Sequence, residues 1–245
     1  MITQHRDGDV TIIEIDRHER RNALDTTHCH DLREALTGEA LTQETLTGPG
    51  SARAIVITGT GSSFCAGADL RAVYDAAFRD ALYAMLAAVT EVPVPVLAAV
   101  NGPAIGAGAQ LALACDLRVA APEATFAIPT ARLGIAVNPW TIRRLALLAG
   151  TGTAQAVLIG GETLDATAAL RCGLASRLGD RAAALAWASE LAGLAPLSLA
   201  YAKKALNEPD SAALAKDFEA CWASEDAAEG QRARADRRPP RFRGR

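Results

Sequence analysis

The sequence predicts an α/β protein whose second half is helical. Short runs of β-branched and apolar residues alternate with helical segments as far as Ala120, and beyond Thr141 the pattern is almost wholly helical. Strands that alternate with helices, followed by helices alone, favour one α/β core with a helical C-terminal layer over two independent domains. The length of 245 residues is enough to bury a substantial core.

Four strands are predicted from runs of apolar and β-branched residues in the first half. They cover Val10–Ile15, Arg53–Thr58, Val96–Val100 and Asp116–Ala120. One further strand-like piece, Leu174–Leu178, stands alone in the helical second half. The strands in the first half therefore come one after another with helices between them.

Three helices are predicted between these strands. Asp25 is typical of a helix cap, and the segment behind it predicts a helix to about Ala40, followed by a loop rich in Thr and Gly. A second helix is predicted around Phe78–Val89, before two prolines, and a small apolar third over Gly106–Cys115. Later turns are expected near Gly150, Gly160, Gly173, Ala195 and Pro209.

The composition argues against several classes of protein. The net charge of -3 gives no global field to attract nucleic acid, and the longest apolar runs fall short of the ~20 residues of a membrane span. The start resembles no export signal, so a cytoplasmic location is expected. Five widely spaced cysteines without a CxxC pair argue against a disulfide framework and a zinc site, and no metal site is expected.

Four segments, taken in order, resemble the signature of the crotonase (enoyl-CoA hydratase/isomerase) superfamily. The resemblance covers nearly the whole chain and is strongest to actinobacterial, mycobacterial-type paralogues that lack both catalytic glutamates. The segments are HERRNALD at His18–Asp25, SFCAGADL at Ser63–Leu70, NGPAIGAGAQLALACD at Asn101–Asp116 and RRPPRFRG at Arg237–Gly244.

The resemblance implies the architecture of one functional domain. Residues 1–190 are expected to form a ClpP-like spiral of ββα units, the crotonase fold. Residues 191–245 are expected to form a helical C-terminal region that builds a homotrimer, which is commonly doubled to a hexamer as a dimer of trimers.

Small residues at two turns predict an oxyanion hole. Backbone N–H groups that point at a thioester oxygen stabilise the negative charge that develops there, and small residues let the backbone approach the ligand. By resemblance the two donors are the amides of Ala68 and Ala107. The alternative, that both segments are merely tight turns, is disfavoured because both match the family.

The resemblance also implies the contacts to CoA and to the acyl chain. The CoA contacts are Arg21, Ala23, Leu24, Ala66, Asp69, Leu70 and Arg71, with a solvated surface arginine as the alternative for Arg21. The proposed acyl pocket contains Val73, Phe78, Ile135 and Trp140, with ordinary core packing as the alternative.

The sequence departs from the family at both catalytic glutamates. Those positions hold Gln110 and Thr130, and neither side chain exchanges a proton near neutral pH. Asn138 stands roughly where some dienoyl isomerases keep an acid, so no catalytic residue is predicted. Cys65 lies beside the predicted hole, where a small buried cysteine is favoured over a nucleophile.

These observations predict a protein that binds fatty acyl-CoA or enoyl-CoA thioesters in lipid metabolism without hydrating them. The acyl-CoA is its ligand, no cofactor is expected, and fatty-acid synthesis proteins are expected partners. One alternative is a divergent enoyl-CoA hydratase or isomerase that acts through Asn138, Gln110 or a water molecule. Others are an interaction protein that no longer binds CoA and, last, nucleic-acid binding through the arginine-rich tail, which lacks interleaved aromatic residues.

Overall fold

A computed structural model of the chain describes residues 1–38 and 51–245. It confirms a mixed α/β fold with a helical C-terminal region. The strands are β1 (Ile2–Asp7), β2 (Val10–Ile15), β3 (Ala54–Gly59), β4 (Val96–Val100), β5 (Pro103–Ile105), β6 (Leu117–Ala120), β7 (Thr125–Ala127), β8 (Leu164–Asp165) and β9 (Arg177–Leu178). The helices are α1 (Thr26–Thr37), α2 (Ala76–Glu91), α3 (Ala107–Ala114), α4 (Pro139–Ala149), α5 (Thr151–Leu158), α6 (Ala166–Arg171), α7 (Arg181–Ala192), α8 (Pro196–Asn207), α9 (Leu214–Trp222) and α10 (Glu225–Ala235).

Two sheets organise the part of the chain that the structure describes. The larger has the strand order β1-β2-β3-β4-β6-β9, in which β1 and β2 are antiparallel and the remaining pairs are parallel. The smaller has the order β5-β7-β8. Because β5 follows β4 after a two-residue turn, the chain passes from one sheet to the other just before α3 begins.

Both faces of the larger sheet are buried. Along β3, Ile55 and Ile57 point into the main hydrophobic core, while Ala54 and Val56 pack in a second cluster with Ala184 and Ala188 of α7. Parallel strands covered on both faces read as continuous apolar runs. This burial explains why the strand runs were recognisable in the sequence.

The C-terminal end of the chain folds back on helix α10. The carboxylate of Asp226 accepts hydrogen bonds from the N–H groups of Arg243 and Gly244, at 2.6 and 2.7 Å. Arg238 donates two hydrogen bonds to Glu229, at 2.6 and 3.0 Å. Part of the arginine-rich tail is therefore held by acidic side chains of α10 and is not simply a solvated end.

The structure adds strands to those predicted and changes the bounds of two predicted elements. Strand β1 was not predicted, because its residues are mostly polar and exposed and lie at the sheet edge. The first helix ends at Thr37 instead of Ala40, and the loop predicted at 41–50 lies outside the described residues. Of the strand-like piece Leu174–Leu178, only β9 pairs with a neighbour.

No single helix within residues 1–38 and 51–245 is long and apolar enough to cross a membrane. Helices α7 and α8 pass that test of length and composition only as a pair, with a bend of 111° between them.

Candidate functional site

Two turns of the chain are held side by side by backbone pairing. Ala68 pairs with Leu24, through a hydrogen bond of 2.8 Å from the N–H of Leu24 to the carbonyl of Gly67. Cys65 pairs with Ala104 of β5, just before α3 begins. The segment that carries Ala68 is therefore fixed on one side by the loop before α1 and on the other by the strand that leads to Ala107.

Gly67 is required for this close approach. Its φ of +111° is a conformation that residues with a side chain rarely adopt. A Cβ atom at this position would lie 3.0 Å from the carbonyl oxygen of Ile105. The glycine therefore permits both the turn before Ala68 and the contact with the segment that precedes α3.

The amides of Ala68 and Ala107 are available to a ligand. Among the described residues neither N–H donates to a protein acceptor, although both flanking turns are hydrogen-bonded. Ala107 is the first residue of α3, where an N–H has no partner inside the helix. Two such donors beside one cavity can stabilise an oxygen that gains negative charge.

A cavity of about 460 Å³ opens beside these two amides. This volume falls within the usual range of small-molecule sites. Most of its wall is apolar, and Ala68 and Ala107 lie in it. The lining residues are Ala66, Gly67, Ala68, Leu70, Val73, Tyr74, Asp75, Phe78, Arg79, Leu82, Tyr83, Ile105, Gly106, Ala107, Gln110, Pro129, Thr130, Leu133, Ile135, Ala136 and Val137.

Gln110 and Thr130 both line the cavity, as their predicted places in the site require. Gln110 is 4% exposed and lies one turn after Ala107 on α3, and Thr130 begins a short 3-10 turn. Among the described lining residues the one carboxylate is Asp75, which is exposed and caps α2 by accepting the N–H of Ala77 at 2.9 Å. The inner wall of the cavity is therefore neutral.

Asn138 serves helix α4 and does not line the cavity. Its side-chain oxygen accepts the N–H of Thr141 at 2.9 Å, which caps the helix, and lies 2.8 Å from the Thr141 hydroxyl. Its own N–H donates to the hydroxyl of Tyr83 at 3.0 Å. Asn138 therefore caps α4, and its interpretation as a degenerate acid position stays a prediction.

Comparison with known proteins decides the family. The family model described as enoyl-CoA hydratase/isomerase matches residues 5–245. The chain belongs to the enoyl-CoA hydratase/isomerase family, in the crotonase superfamily.

Two named relatives and one solved structure support this family assignment. The protein named "Probable enoyl-CoA hydratase echA6" of Mycobacterium tuberculosis is 46% identical over 241 residues, 96% of each chain. Carnitinyl-CoA dehydratase of Citrobacter koseri is 38% identical over 215 residues, 79% of this chain and 82% of that protein. The crystal structure of enoyl-CoA hydratase from Bacillus anthracis has a TM-score of 0.87 and 27% identity, over 100% of this chain and 99% of that chain.

In this family member, three of the four predicted acyl-pocket residues line the cavity. They are Val73, Phe78 and Ile135. Trp140, the fourth, is the second residue of α4 and packs against the hydrophobic core, so the structure corrects its placement. Pro139 occupies the first position of this helix, where proline is favoured.

Seven residues are predicted to contact CoA. Five of them are exposed, half-buried or part of the cavity wall, and the side chains of the other two are used within the protein. Arg21, Leu70 and Arg71 are exposed, Ala23 is half-buried, and Ala66 lines the cavity, so these stay predictions. The side chain of Leu24 is fully buried in the core and cannot contact CoA. The carboxylate of Asp69 is hydrogen-bonded within the protein, so the CoA contacts of Leu24 and Asp69 stay predictions that would involve their backbone atoms.

Arg17 was not predicted as a site residue, and it organises this face of the site. Its guanidinium donates to the carboxylate of Asp69 and to the carbonyl of Ala23, both at 2.9 Å. Its N–H donates to Asn22, which in turn donates to the carbonyl of Ser63 at 2.7 Å. These bonds tie the loop before α1 to the segment that carries Ala68.

This arrangement stabilises the charged form of Asp69. The hydrogen bond from the N–H of Arg71, followed by that from Arg17, holds the pKa of the Asp69 carboxyl below its ordinary value of 3.8. A carboxylate held in this way would repel a phosphate. The role of Asp69 is therefore to brace the turn.

Cys65 lies beside the two amides but is closed off from the cavity. Its side chain is fully buried, and its thiol lies 3.8 Å from the carbonyl oxygen of Gly67. Burial raises the pKa of the thiol to about 12, so it stays protonated at neutral pH. A protonated thiol is a poor nucleophile, and the interpretation as a small buried cysteine fits this geometry.

Within the described residues no three His, Cys, Asp or Glu side chains gather as metal ligands.

Proposed function

We propose that the protein binds acyl-CoA thioesters and holds them without hydrating the acyl chain. One observation carries this proposal. Two unpaired amides, those of Ala68 and Ala107, face a largely apolar cavity whose inner wall has no carboxylate.

The amides explain why a thioester would bind. A carbonyl oxygen about 3 Å from both N–H groups satisfies two donors that have no acceptor among the described residues. The apolar wall then receives the acyl chain, since burial of each CH₂ group contributes about 0.8 kcal/mol. Val73, Phe78 and Ile135 belong to that wall.

The neutral inner wall explains why hydration would fail. Addition of water across an enoyl double bond needs a group that takes a proton from water and a group that gives one to the chain. Gln110 and Thr130 do neither, and the side chain of Asn138 is used in capping α4. Asp75 lies at the exposed rim and caps α2.

Assembly and partners extend the proposal. We propose a homotrimer, alone or as a dimer of trimers, in the cytoplasm, which delivers its ligand to proteins of fatty-acid synthesis. Exposed aromatic residues of α9 support a contact between subunits, because Phe218 is 43% and Trp222 71% exposed and the two rings lie 6.3 Å apart.

The Ala107→Pro variant tests the proposal directly. Proline is tolerated at the first position of a helix, so this change removes the N–H donor while α3 remains compatible with its fold. Thr151→Pro makes the same change at the first position of α5, on an exposed residue far from the cavity. It is the matched control.

Two measurements give the outcome. One is calorimetry with palmitoyl-CoA and with free CoA, and the other is an optical assay of enoyl-CoA hydration. We expect the intact protein to bind palmitoyl-CoA and not to hydrate crotonyl-CoA or longer enoyl-CoA. Ala107→Pro should weaken palmitoyl-CoA binding roughly tenfold or more, leave free CoA binding unchanged and contrast with an unaffected Thr151→Pro. Absence of palmitoyl-CoA binding, or turnover like that of an ordinary hydratase, would overturn the proposal.

A further inference from the structure

We propose that Arg118 and Arg144 are positioning residues that strengthen the hydrogen bond from the Ala107 amide to a thioester oxygen. They act through helix α3, because both bind backbone carbonyls near the end of that helix opposite to Ala107. This inference rests on the proposed function, since it concerns how firmly the same amide holds the same ligand. Neither arginine lines the cavity, so their effect on the ligand is electrostatic.

Arg118, on strand β6, is buried among carbonyl groups. The residue is 2% exposed. Its guanidinium donates to the carbonyls of Ala112 and Cys115, at 3.1 and 2.6 Å, and also to those of Asp116 and Leu174. Burial lowers the pKa of the guanidinium to about 10, so Arg118 is still charged at neutral pH. Burial of a charge costs free energy, and the carbonyl dipoles at the end of α3 offset part of that cost.

Arg144 binds the same end of α3 from helix α4. It is half-buried, and its Nε donates to the carbonyl of Leu113 at 3.1 Å. Its Nη1 donates to the side-chain oxygen of Asn207 on α8 at 3.2 Å. The carboxylate of Asp116, just after α3, is paired with Lys203 at 2.9 Å. The described acceptors of both guanidiniums are neutral oxygens, so these two cations add positive charge to the end of α3.

Helix α3 connects this charge to the ligand site. It begins at Ala107, ends at Ala114 and is about 12 Å long. Aligned peptide dipoles give a helix a partial positive charge at its first residues and a partial negative charge at its last carbonyls. Cations bound to the last carbonyls offset the negative end, so the Ala107 N–H meets the ligand in a more positive potential. All eight residues of α3 are buried, which limits screening by salt.

Coulomb's law gives the size of the effect. Over about 12 Å at an effective dielectric constant of ~20, one unit charge shifts the affinity for a carbonyl oxygen with about half a negative charge by roughly threefold. A ligand of the same length without the carbonyl lacks this term. Effects on the CoA phosphates are common to both ligands and cancel in the ratio of their affinities.

The test compares palmitoyl-CoA with S-hexadecyl-CoA, a thioether of the same chain length that lacks the carbonyl. Calorimetry on the full-length protein gives the ratio of the two affinities. Arg144→Gln removes the charge but keeps an N–H donor for Leu113, and it should lower the ratio roughly threefold. Arg144→Lys keeps the charge and should keep the ratio. Arg53→Gln is the matched control, because Arg53 donates to two carbonyls outside α3, those of Phe242 and Leu194.

Asn207→Asp is a second variant that leaves the arginine in place. It keeps an oxygen for Arg144 and adds a negative charge beside the guanidinium, so it should lower the ratio by a similar factor. The infrared band of palmitoyl-CoA labelled with ¹³C at the carbonyl carbon gives an independent readout. A weaker hydrogen bond raises the frequency of this band. Arg144→Gln and Asn207→Asp should therefore raise it, whereas Arg144→Lys and Arg53→Gln should leave it unchanged.

The outcomes separate this inference from the proposed function. An unchanged affinity ratio in both Arg144→Gln and Asn207→Asp would overturn the inference and leave the proposed function standing. A ratio in Arg144→Lys as low as that in Arg144→Gln would also overturn it, because Arg144 would then serve packing alone. If the intact protein binds both ligands equally well, the inference fails although acyl-CoA binding remains. If palmitoyl-CoA does not bind, both fail together.

Discussion

The ammonium group of Lys203 lies 2.9 Å from the carboxylate of Asp116, with only 7% of the lysine side chain exposed. The same ammonium donates to the carbonyls of Val89 and Val94 at 2.8 and 3.1 Å. Asp116 also accepts the N–H of Val96 at 2.8 Å. Lys203 belongs to α8, so this cluster fastens the C-terminal helical layer to the end of α2 and the start of β4.

Lys203→Met is therefore expected to be strongly destabilising. Removal of one partner leaves a buried charge and two carbonyls unsatisfied, at a cost of about 3–5 kcal/mol. The neighbouring Lys204→Met removes a half-exposed pair with Asp217 and should cost no more than ~1 kcal/mol. Urea denaturation of both variants checks this, and equal losses would contradict the role given to Lys203.

Gly67→Ala is expected to impair both stability and ligand binding. The φ of +111° and the nearby carbonyl of Ile105 impose strain of roughly 1–3 kcal/mol. Relief of that strain would move the amide of Ala68. Gly8→Ala, at a φ of +57° with open space around it, should lose stability alone. Thermal unfolding and palmitoyl-CoA titration of the pair measure this, and unchanged affinity in Gly67→Ala would argue against the amide site.

Restoration of both carboxylates should produce a hydratase. The Gln110→Glu/Thr130→Glu double variant regains an acid and a base in the cavity wall, which contribute about 10²–10⁴-fold in rate. Crotonyl-CoA hydration followed optically should rise at least roughly 100-fold, with smaller gains in the single variants. A double variant that folds and binds palmitoyl-CoA but shows no gain would mean that more than these two groups is missing.

The docking of the tail should weaken in acid. Hydrogen bonds from Arg238 and from the N–H of Arg241 lower the pKa of Glu229 from 4.5 to about 2. Because the folded value is the lower one, this carboxylate stabilises the fold fully above pH 4.5, and the contribution disappears as the pH falls towards 2. The difference in Tm between the intact protein and Glu229→Gln should shrink over that range. Glu123→Gln, at an exposed carboxylate on the turn before β7, is the control substitution.

The sequence sufficed for elements whose stability is local or whose burial leaves a simple pattern. Strands β2, β3, β4 and β6 are runs of apolar residues because the structure buries them. The predicted cap Asp25 acts through the neighbouring amide of His28. Strand β1 could not be predicted from the sequence. Its partner β2 supplies its hydrogen bonds, and a strand at an exposed edge needs no apolar pattern.

The site was predictable only as far as its backbone. The positions of Ala68, Ala107, Gln110 and Thr130 follow from turns and helix starts that motifs record. Arg17 acts through Asp69, 52 positions away in the chain, and Tyr83 acts through Asn138, 55 positions away. No local sequence pattern predicts contacts between residues so far apart in the chain.

The mouth of the cavity carries a consequence for the lifetime of a complex. The hydroxyl of Tyr74 donates to the carbonyl of Leu133 at 3.0 Å, and both residues are exposed and line the cavity. We expect this bond to break both when a ligand enters and when it leaves, which changes both rate constants and leaves their ratio nearly unchanged. Tyr74→Phe should therefore shorten the residence time of palmitoyl-CoA in stopped-flow displacement while its Kd barely changes. The hydrogen bond at Tyr74 would then control how fast the ligand is released, not how tightly it is bound.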